Sequence, residues 1–172
     1  MKVYKYKPPE ELTIDFLIKK CPVESYQPNK PENKLLYFLF CGIGKRVFYK
    51  LRMNLIKHYN DIFPNIDTRN LPQYFPIQFE PRSNKNAYMF WSERENLDNQ
   101  VGEFLYDLKT KEWKLKKLRD DRKIEVMRGN YFGNNYKIAE IIWMNLHDPL
   151  VIEDIEDHDT YFQEKPLVIL KI

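Results

Sequence analysis

Lys5 and Lys7 stand one residue apart and are followed by Pro8-Pro9 and Thr13-Ile14-Asp15-Phe16. In an extended segment side chains alternate, so the two ammonium groups share one face while Tyr4 and Tyr6 take the other. Two compact positive charges with several donors each suit a polyphosphate. Taken alone, Lys-x-Lys is also an ordinary solvated strand face. A second cluster follows Trp113 and runs Arg119-Asp120-Asp121-Arg122-Lys123. Arg119 and Arg122 bracket Asp121, so a carboxylate can fix one guanidinium while the fork of the other grips phosphate oxygens bidentately. The bland reading of such a run is a charged turn after a strand.

Other chemistries find less support. Gly42-Ile43-Gly44-Lys45-Arg46 has Leu39 and Arg46 where a phosphate-binding P-loop needs Gly and Ser or Thr, and Val47 where a dinucleotide fingerprint needs Gly. His58, His147 and His158 are isolated, and neither Cys21 nor Cys41 has a partner at metal-ligand spacing. A reduced thiol pair is expected, with no zinc site. The 28 basic residues are nearly matched by 25 acidic ones, so net charge alone does not imply a nucleic-acid partner. The longest apolar run, Leu35 to Cys41, is far too short to cross a bilayer, which predicts a soluble protein.

Those side chains need elements to carry them, and 172 residues with 43% hydrophobic content fit one compact domain with an appended segment. The 12 Tyr and 11 Phe against 5 Gly favour strands, because aromatics fit a pleated, half-buried surface. Strands are predicted at Val3 to Lys7, through Leu12, Ile14, Phe16 and Ile18 with one strongly buried face, at Leu35 to Cys41, Ile77 to Phe79, Ala87 to Trp91, Val101 to Asp107 and Glu112 to Leu118. Cys21 to Asn33 reads as a loop, Gly42-Ile43-Gly44 as a turn, and Asp61 to Pro76 as an irregular connection. Leu108-Lys109-Thr110-Lys111 joins the last two strands as a hairpin. Lys45 to Tyr59 has helical spacing, and a second helix is expected from Gly133 and Asn134 to Pro149. Glu153 to Asp159 reads as an acidic linker and Pro166 to Ile172 as a final strand. Tyr131, Phe132, Tyr136 and Trp143 are aromatics able to stack on bases, although their helical spacing favours core packing.

The two charged clusters together resemble the last two nucleotidyl-transferase motifs of mRNA-capping guanylyltransferases, the KWKP…NTIDF segment and the RxDK segment. The resemblance continues through Asn130-Tyr131-Phe132-Gly133-Asn134-Asn135-Tyr136-Lys137-Ile138-Ala139 and Trp143, which is similar to the junction leading to the methyltransferase part of capping enzymes of large DNA viruses. It covers Lys5 to Phe16 and Ile77 to Ile155; residues 19–76 are supported by their place between the motifs.

This resemblance implies a mainly β fold with α, an OB-fold Greek-key barrel with an embedded helix and a C-terminal helix. Residues 1–18 would end the nucleotidyltransferase domain and supply the first barrel strand, 19–133 would form the OB domain, and 134–172 a C-terminal helix and linker. In such enzymes a lysine attacks the α-phosphate of GTP, pyrophosphate leaves, and the lysine-linked GMP passes to the diphosphate end of nascent RNA. Lys5 and Lys7 match lysines that contact the α-phosphate region, and Asp15 matches an acidic residue able to orient a basic partner. Arg119 and Asp121 support catalysis, with Arg122 or Lys123 on the β- and γ-phosphates, because this chain has Arg122 where the pattern has lysine. The nucleophile belongs to a Lys-x-Asp-Gly motif, and the chain contains no Asp-Gly. The chain by itself is therefore expected to be inactive, with Mg2+ bound alongside GTP mainly outside it. Implied partners are GTP, the 5′ end of nascent mRNA, an upstream nucleotide-binding domain and a downstream cap methyltransferase domain, with no membrane. The implied location is the cytoplasmic viral factory or the virion. A non-enzymatic OB module that binds RNA or tethers its neighbours is the main alternative, and the OB domain of a polynucleotide ligase the second. Lys-Tyr-Lys-Pro-Pro with Thr-Ile-Asp-Phe favours capping.

Overall fold

The computed structural model describes residues 11–22, 30–81 and 86–147. Six antiparallel strands, β1 (Ile14–Lys20), β2 (Lys34–Gly44), β3 (Tyr74–Gln78), β4 (Tyr88–Ser92), β5 (Gln100–Asp107) and β6 (Glu112–Leu118), make one sheet. The eleven residues of β2 allow it to serve two neighbours along one edge, β4 beside Lys34–Phe38 and β3 beside Phe40–Gly44. Its other edge pairs with β1, which pairs with β5, which pairs with β6. β6 returns alongside β4, so the sheet curls into a Greek-key barrel of the OB type. Helices α1 (Lys45–Lys50) and α2 (Tyr59–Ile62) lie between β2 and β3, while α3 (Lys123–Met127) and α4 (Tyr136–His147) follow β6. None of the described helices is long and apolar enough to cross a membrane.

Alternation along the strands produces two apolar clusters. Ile14, Phe16 and Ile18 of β1 meet Tyr37, Leu39, Cys41 and Ile43 of β2 inside the barrel, and α4 adds Tyr136, Ala139, Trp143 and Leu146 to that core. Leu17 and Phe40 point the other way, into a smaller cluster with Tyr59, Ile62 and Val101. β1 is therefore buried on both faces where its pattern predicts one, because the chain from α1 to β3 folds back over its outer side. Phe16, Trp113 and Trp143 are packed ring against ring, with centroid separations of 4.9 Å and 5.6 Å along the series.

Two local expectations are corrected. The apolar spacing from Lys45 to Tyr59 predicts one helix, but α1 stops after Lys50. There Arg52 adopts a left-handed φ of 52°, its N–H donates to Tyr49 O, and the N–H of Met53 donates to Phe48 O. That pair of bonds is a Schellman motif, which satisfies the last carbonyls and turns Met53 back toward the core that holds Phe48. Beyond it Leu55 and Ile56 pack from irregular chain, and Tyr59 is buried at the start of α2. Gly42 and Gly44 are also strand residues, paired with Pro76 and Tyr74, and not a turn. A Cβ on Gly42 would lie 2.1 Å from the Tyr74 hydroxyl, so the glycine admits the tyrosine ring over the strand. Gly44 leads directly into α1. The hairpin at Leu108 to Lys111 forms as expected, held by the Asp107 carboxylate, which accepts from the N–H groups of Lys109 and Thr110, with Lys111 left-handed. The C-terminal helix starts slightly later than Gly133 and Asn134 indicate, with Asn135 Oδ1 accepting from the Lys137 N–H as the cap. The expected elements at Val3 to Lys7, Glu153 to Asp159 and Pro166 to Ile172, and Pro149 itself, fall outside the described residues.

Candidate functional site

A β-bulge decides where Arg119 points. On β6, Lys117 pairs with Glu103 but Leu115 pairs with Phe104, leaving Lys116 as an extra residue. Trp113 faces the barrel core, and simple alternation would keep Lys117 and Arg119 on that same inner face. The bulge shifts the phase, so Leu118 packs against the core and Lys117 bonds outward to Glu103 at 3.5 Å. Arg119, two residues on, shares that outer face. Asp15 sits on the outer face of β1 directly opposite Glu103, and Phe16 beside it points inward.

The two sequence clusters meet here. Arg119 Nη1 donates to Asp15 Oδ2 at 2.7 Å across 104 residues of sequence. Its other edge forms a fork on Asp121, with Nε to Oδ1 at 3.0 Å and Nη2 to Oδ2 at 2.9 Å. Burial raises the Asp15 carboxyl above its usual range, and the Arg119 guanidinium opposes this without cancelling it. The exposed Asp121 carboxyl has little burial to overcome, so its hydrogen bonds from Arg119 hold it down at about 2. Asp15 is further fixed by its backbone: its N–H donates to Asn134 Oδ1 and its carbonyl accepts from the Asn134 N–H, both at 2.8 Å. Gly133, at φ 83°, makes that approach fit, because a Cβ there would stand 2.5 Å from Asp15 O.

Arg122 lies over the Tyr131 ring, 4.5 Å from its centroid, with Nη1 on Glu125 at 2.8 Å. Its Nε is buried and has no hydrogen-bond partner among the described residues. Burial pushes the Tyr131 phenol up to about 12, so the ring is a neutral platform at physiological pH. Lys123 is exposed and paired with Asp120 at 3.3 Å. Arg119, Asp121 and Asp15 thus form one cluster, Arg122 stands next to it on its own platform, and Lys123 points to a separate partner. Lys5 and Lys7 lie outside the described residues.

Asn134, Tyr131 and Glu125 belong to this site although the two motifs do not single them out for it. Glu125 was legible in principle as the i+3 partner of Arg122 on a helix. The Tyr131 and Asn134 contacts depend on how the chain returns after α3, where Gly129 at φ 72° turns it through a second Schellman arrangement, Gly129 N–H to Val126 O and Asn130 N–H to Glu125 O. Among the described residues no three His, Cys, Asp or Glu side chains cluster to hold a metal ion, and both Asp121 oxygens and the Asp15 Oδ2 are engaged by Arg119. This donor set does not fit a resident metal. Separately, a cavity of about 560 Å³ lies between β4 and β6, lined by Tyr88, Trp91, Tyr106 and Trp113 among others. Among the described residues, Asp15, Arg119, Asp121, Arg122 and Lys123 do not line it.

With the cluster placed, comparison with known proteins gives it a context. The chain is 36% identical over 163 residues to the mRNA-capping enzyme of African swine fever virus, strain Badajoz 1971 Vero-adapted, and 35% identical to that of isolate Tick/South Africa/Pretoriuskop Pr4/1996. These relatives are viral mRNA-capping enzymes. The aligned part is 88% of this chain and 18% of each relative, so the chain spans about a fifth of the length of the curated relatives it matches. No protein-family model matches the chain.

Proposed function

We propose that this chain is the C-terminal portion of an mRNA guanylyltransferase, an OB lid that supplies contacts to the phosphates of GTP while another domain supplies the nucleophilic lysine. The observation that carries this reading is the Arg119 to Asp15 bond, which joins a residue of the first motif to one of the second across the fold. The similarity to viral capping enzymes supports it.

In this reading Arg119 is held charged and oriented before nucleotide arrives, because two carboxylates fix three of its N–H donors. Its two remaining N–H groups are left to donate to phosphate oxygens. Arg122, and not Lys123, takes the role of the lysine in the family pattern: its orphaned buried Nε calls for an acceptor, and stacking on Tyr131 holds its plane. Positive charge brought onto the pyrophosphate as it leaves stabilises the transition state. Lys5 and Lys7 are assigned to the α-phosphate region by motif. Magnesium is placed with GTP, mainly outside this chain, and no step of the lid's work passes through it.

The test joins the chain to its nucleotide-binding half and measures the covalent guanylate adduct formed from labelled GTP. Arg119→Ala and Asp121→Ala should each slow adduct formation, Arg119→Ala by about 2–4 kcal/mol of transition-state stabilisation. Wild-type rates in both variants, with the fold intact, would reduce the cluster to a structural clasp.

A further inference from the structure

Between Gly44 and Asp61 the sequence contains no carboxylate, yet it contains Lys45, Arg46, Lys50, Arg52 and Lys57. Among the described residues none of these five side chains makes an ion pair or a hydrogen bond. The cations of the 119–123 cluster are all paired, as are Lys114 and Lys117. A concentration of unpartnered positive charge along one short stretch of chain repels itself, and it is relieved by a polyanion.

On α1, Arg46, Tyr49 and Lys50 stand at i, i+3 and i+4, so they share one face, and all three are exposed, Tyr49 to 56%. The Tyr49 ring is held edge-on against the buried Phe48 at 5.3 Å, which orders an aromatic surface that faces water. Cations flanking an open aromatic face are the combination that single-stranded nucleic acid requires, phosphates on the charges and a base on the ring. The position of α1 adds to this. It starts immediately after Gly44, two residues beyond Gly42, whose N–H donates to Asn134 O at 3.1 Å; Asn134 in turn bonds to the backbone of Asp15. Between α1 and Arg122 the surface is aromatic: Tyr74, 39% exposed, lies against Phe132 at 5.9 Å, and the neighbouring Tyr131 carries Arg122.

We propose that the exposed face of α1, Arg46, Tyr49 and Lys50 with Arg52, binds single-stranded RNA and leads its 5′ diphosphate end past Tyr74 toward the Asp15 and Arg119 cluster. This rests on the capping reading for the identity of the RNA end. The surface itself is independent of which residues handle GTP.

The experiment measures binding of a short 5′-diphosphorylated RNA to the 172-residue chain across a salt series. Arg46→Ala/Lys50→Ala should lower affinity on the order of tenfold at low salt and reduce the salt slope by roughly 1.4, about 0.7 for each single-strand phosphate contact. Tyr49→Ala should weaken binding by roughly tenfold at an unchanged slope, since it removes stacking and no charge. The charge-matched control Lys109→Ala/Lys116→Ala, on the β5–β6 hairpin, should change neither. Undetectable RNA binding by the wild type, a wild-type salt slope in the α1 double variant, or equal losses in both double variants would overturn the proposal. Guanylate adduct formation by the rejoined protein should be unchanged in the α1 variants. Its absence from the rejoined wild type would sink the capping reading instead, and the salt series would still report on the RNA surface.

Discussion

Arg119 holds a buried carboxylate in place, so removing it has two separable consequences. Asp15 is nearly enclosed, and burial already raises its carboxyl. An acid whose folded value is raised favours the folded state below its unfolded value and loses that contribution as pH rises through the folded one. Without Arg119 the carboxyl rises further, so Arg119→Ala should lose about 1–3 kcal/mol at pH 7 and much less at pH 4. Adding Asp15→Asn should restore most of the loss at pH 7 without restoring adduct chemistry. Denaturant unfolding at the two pH values checks this, and a loss independent of pH would mean that the pair is not what is broken. Asp121 has the opposite sign. Its carboxyl is depressed to about 2, so its stabilising contribution is present above the unfolded value of about 3.9 and disappears as pH falls through 2. Asp121→Asn should therefore flatten the acid limb of the stability curve between those values. Of this site, the arginines and their bracketed aspartate were legible from spacing. The Asp15 partnership was not, because a strand aspartate is ordinarily solvated and only the family resemblance gave it a basic partner.

Two backbone devices position the site on its elements, and only one was visible in sequence. The β5–β6 hairpin follows from alternation interrupted by Leu108-Lys109-Thr110-Lys111, and its strand boundaries come out within a residue of the pattern. The bulge at Lys116 leaves no such trace, since Lys-Leu-Lys-Lys-Leu fits more than one register, yet it aims Arg119 at Asp15. The same limit applies at α1. Apolar spacing from Lys45 to Tyr59 is helical, but nothing in that spacing shows that Arg52 takes a left-handed cap, where glycine is usual. Two substitutions test the left-handed positions at Gly133 and Arg52. Gly133→Ala combines a positive φ with backbone atoms of Asp15 and Phe16 at 2.5 Å and 2.9 Å, and should cost about 2 kcal/mol or more in urea unfolding. Arg52→Gly relieves a left-handed residue at an exposed cap and should stabilise by about 1 kcal/mol. A neutral Gly133→Ala would show that the Asn134 segment does not dock on β1 as described.

At the scale of the whole molecule, β1, the end of β6 and the segment leading into α4 converge on one rim of the barrel, where Asp15, Arg119 and Asp121 are joined and Arg122 stands beside them. Strand alternation together with the family resemblance made the OB architecture legible, whereas the double burial of β1 depends on long-range folding of the α1 to β3 connection that periodicity does not encode. In the proposed function this rim acts as a lid on a nucleotide held elsewhere. The most direct measurement is the rate of covalent guanylate formation from labelled GTP by three preparations: this chain alone, the nucleotide-binding half alone, and the two rejoined, the last also carrying Arg122→Ala or Lys123→Ala. The expected result is no adduct on this chain, a rate strongly raised by rejoining, a large loss with Arg122→Ala and little change with Lys123→Ala. A labelled band on this chain alone, or a nucleotide-binding half that reaches the full rate without it, would rule out a lid that acts on a nucleotide held elsewhere.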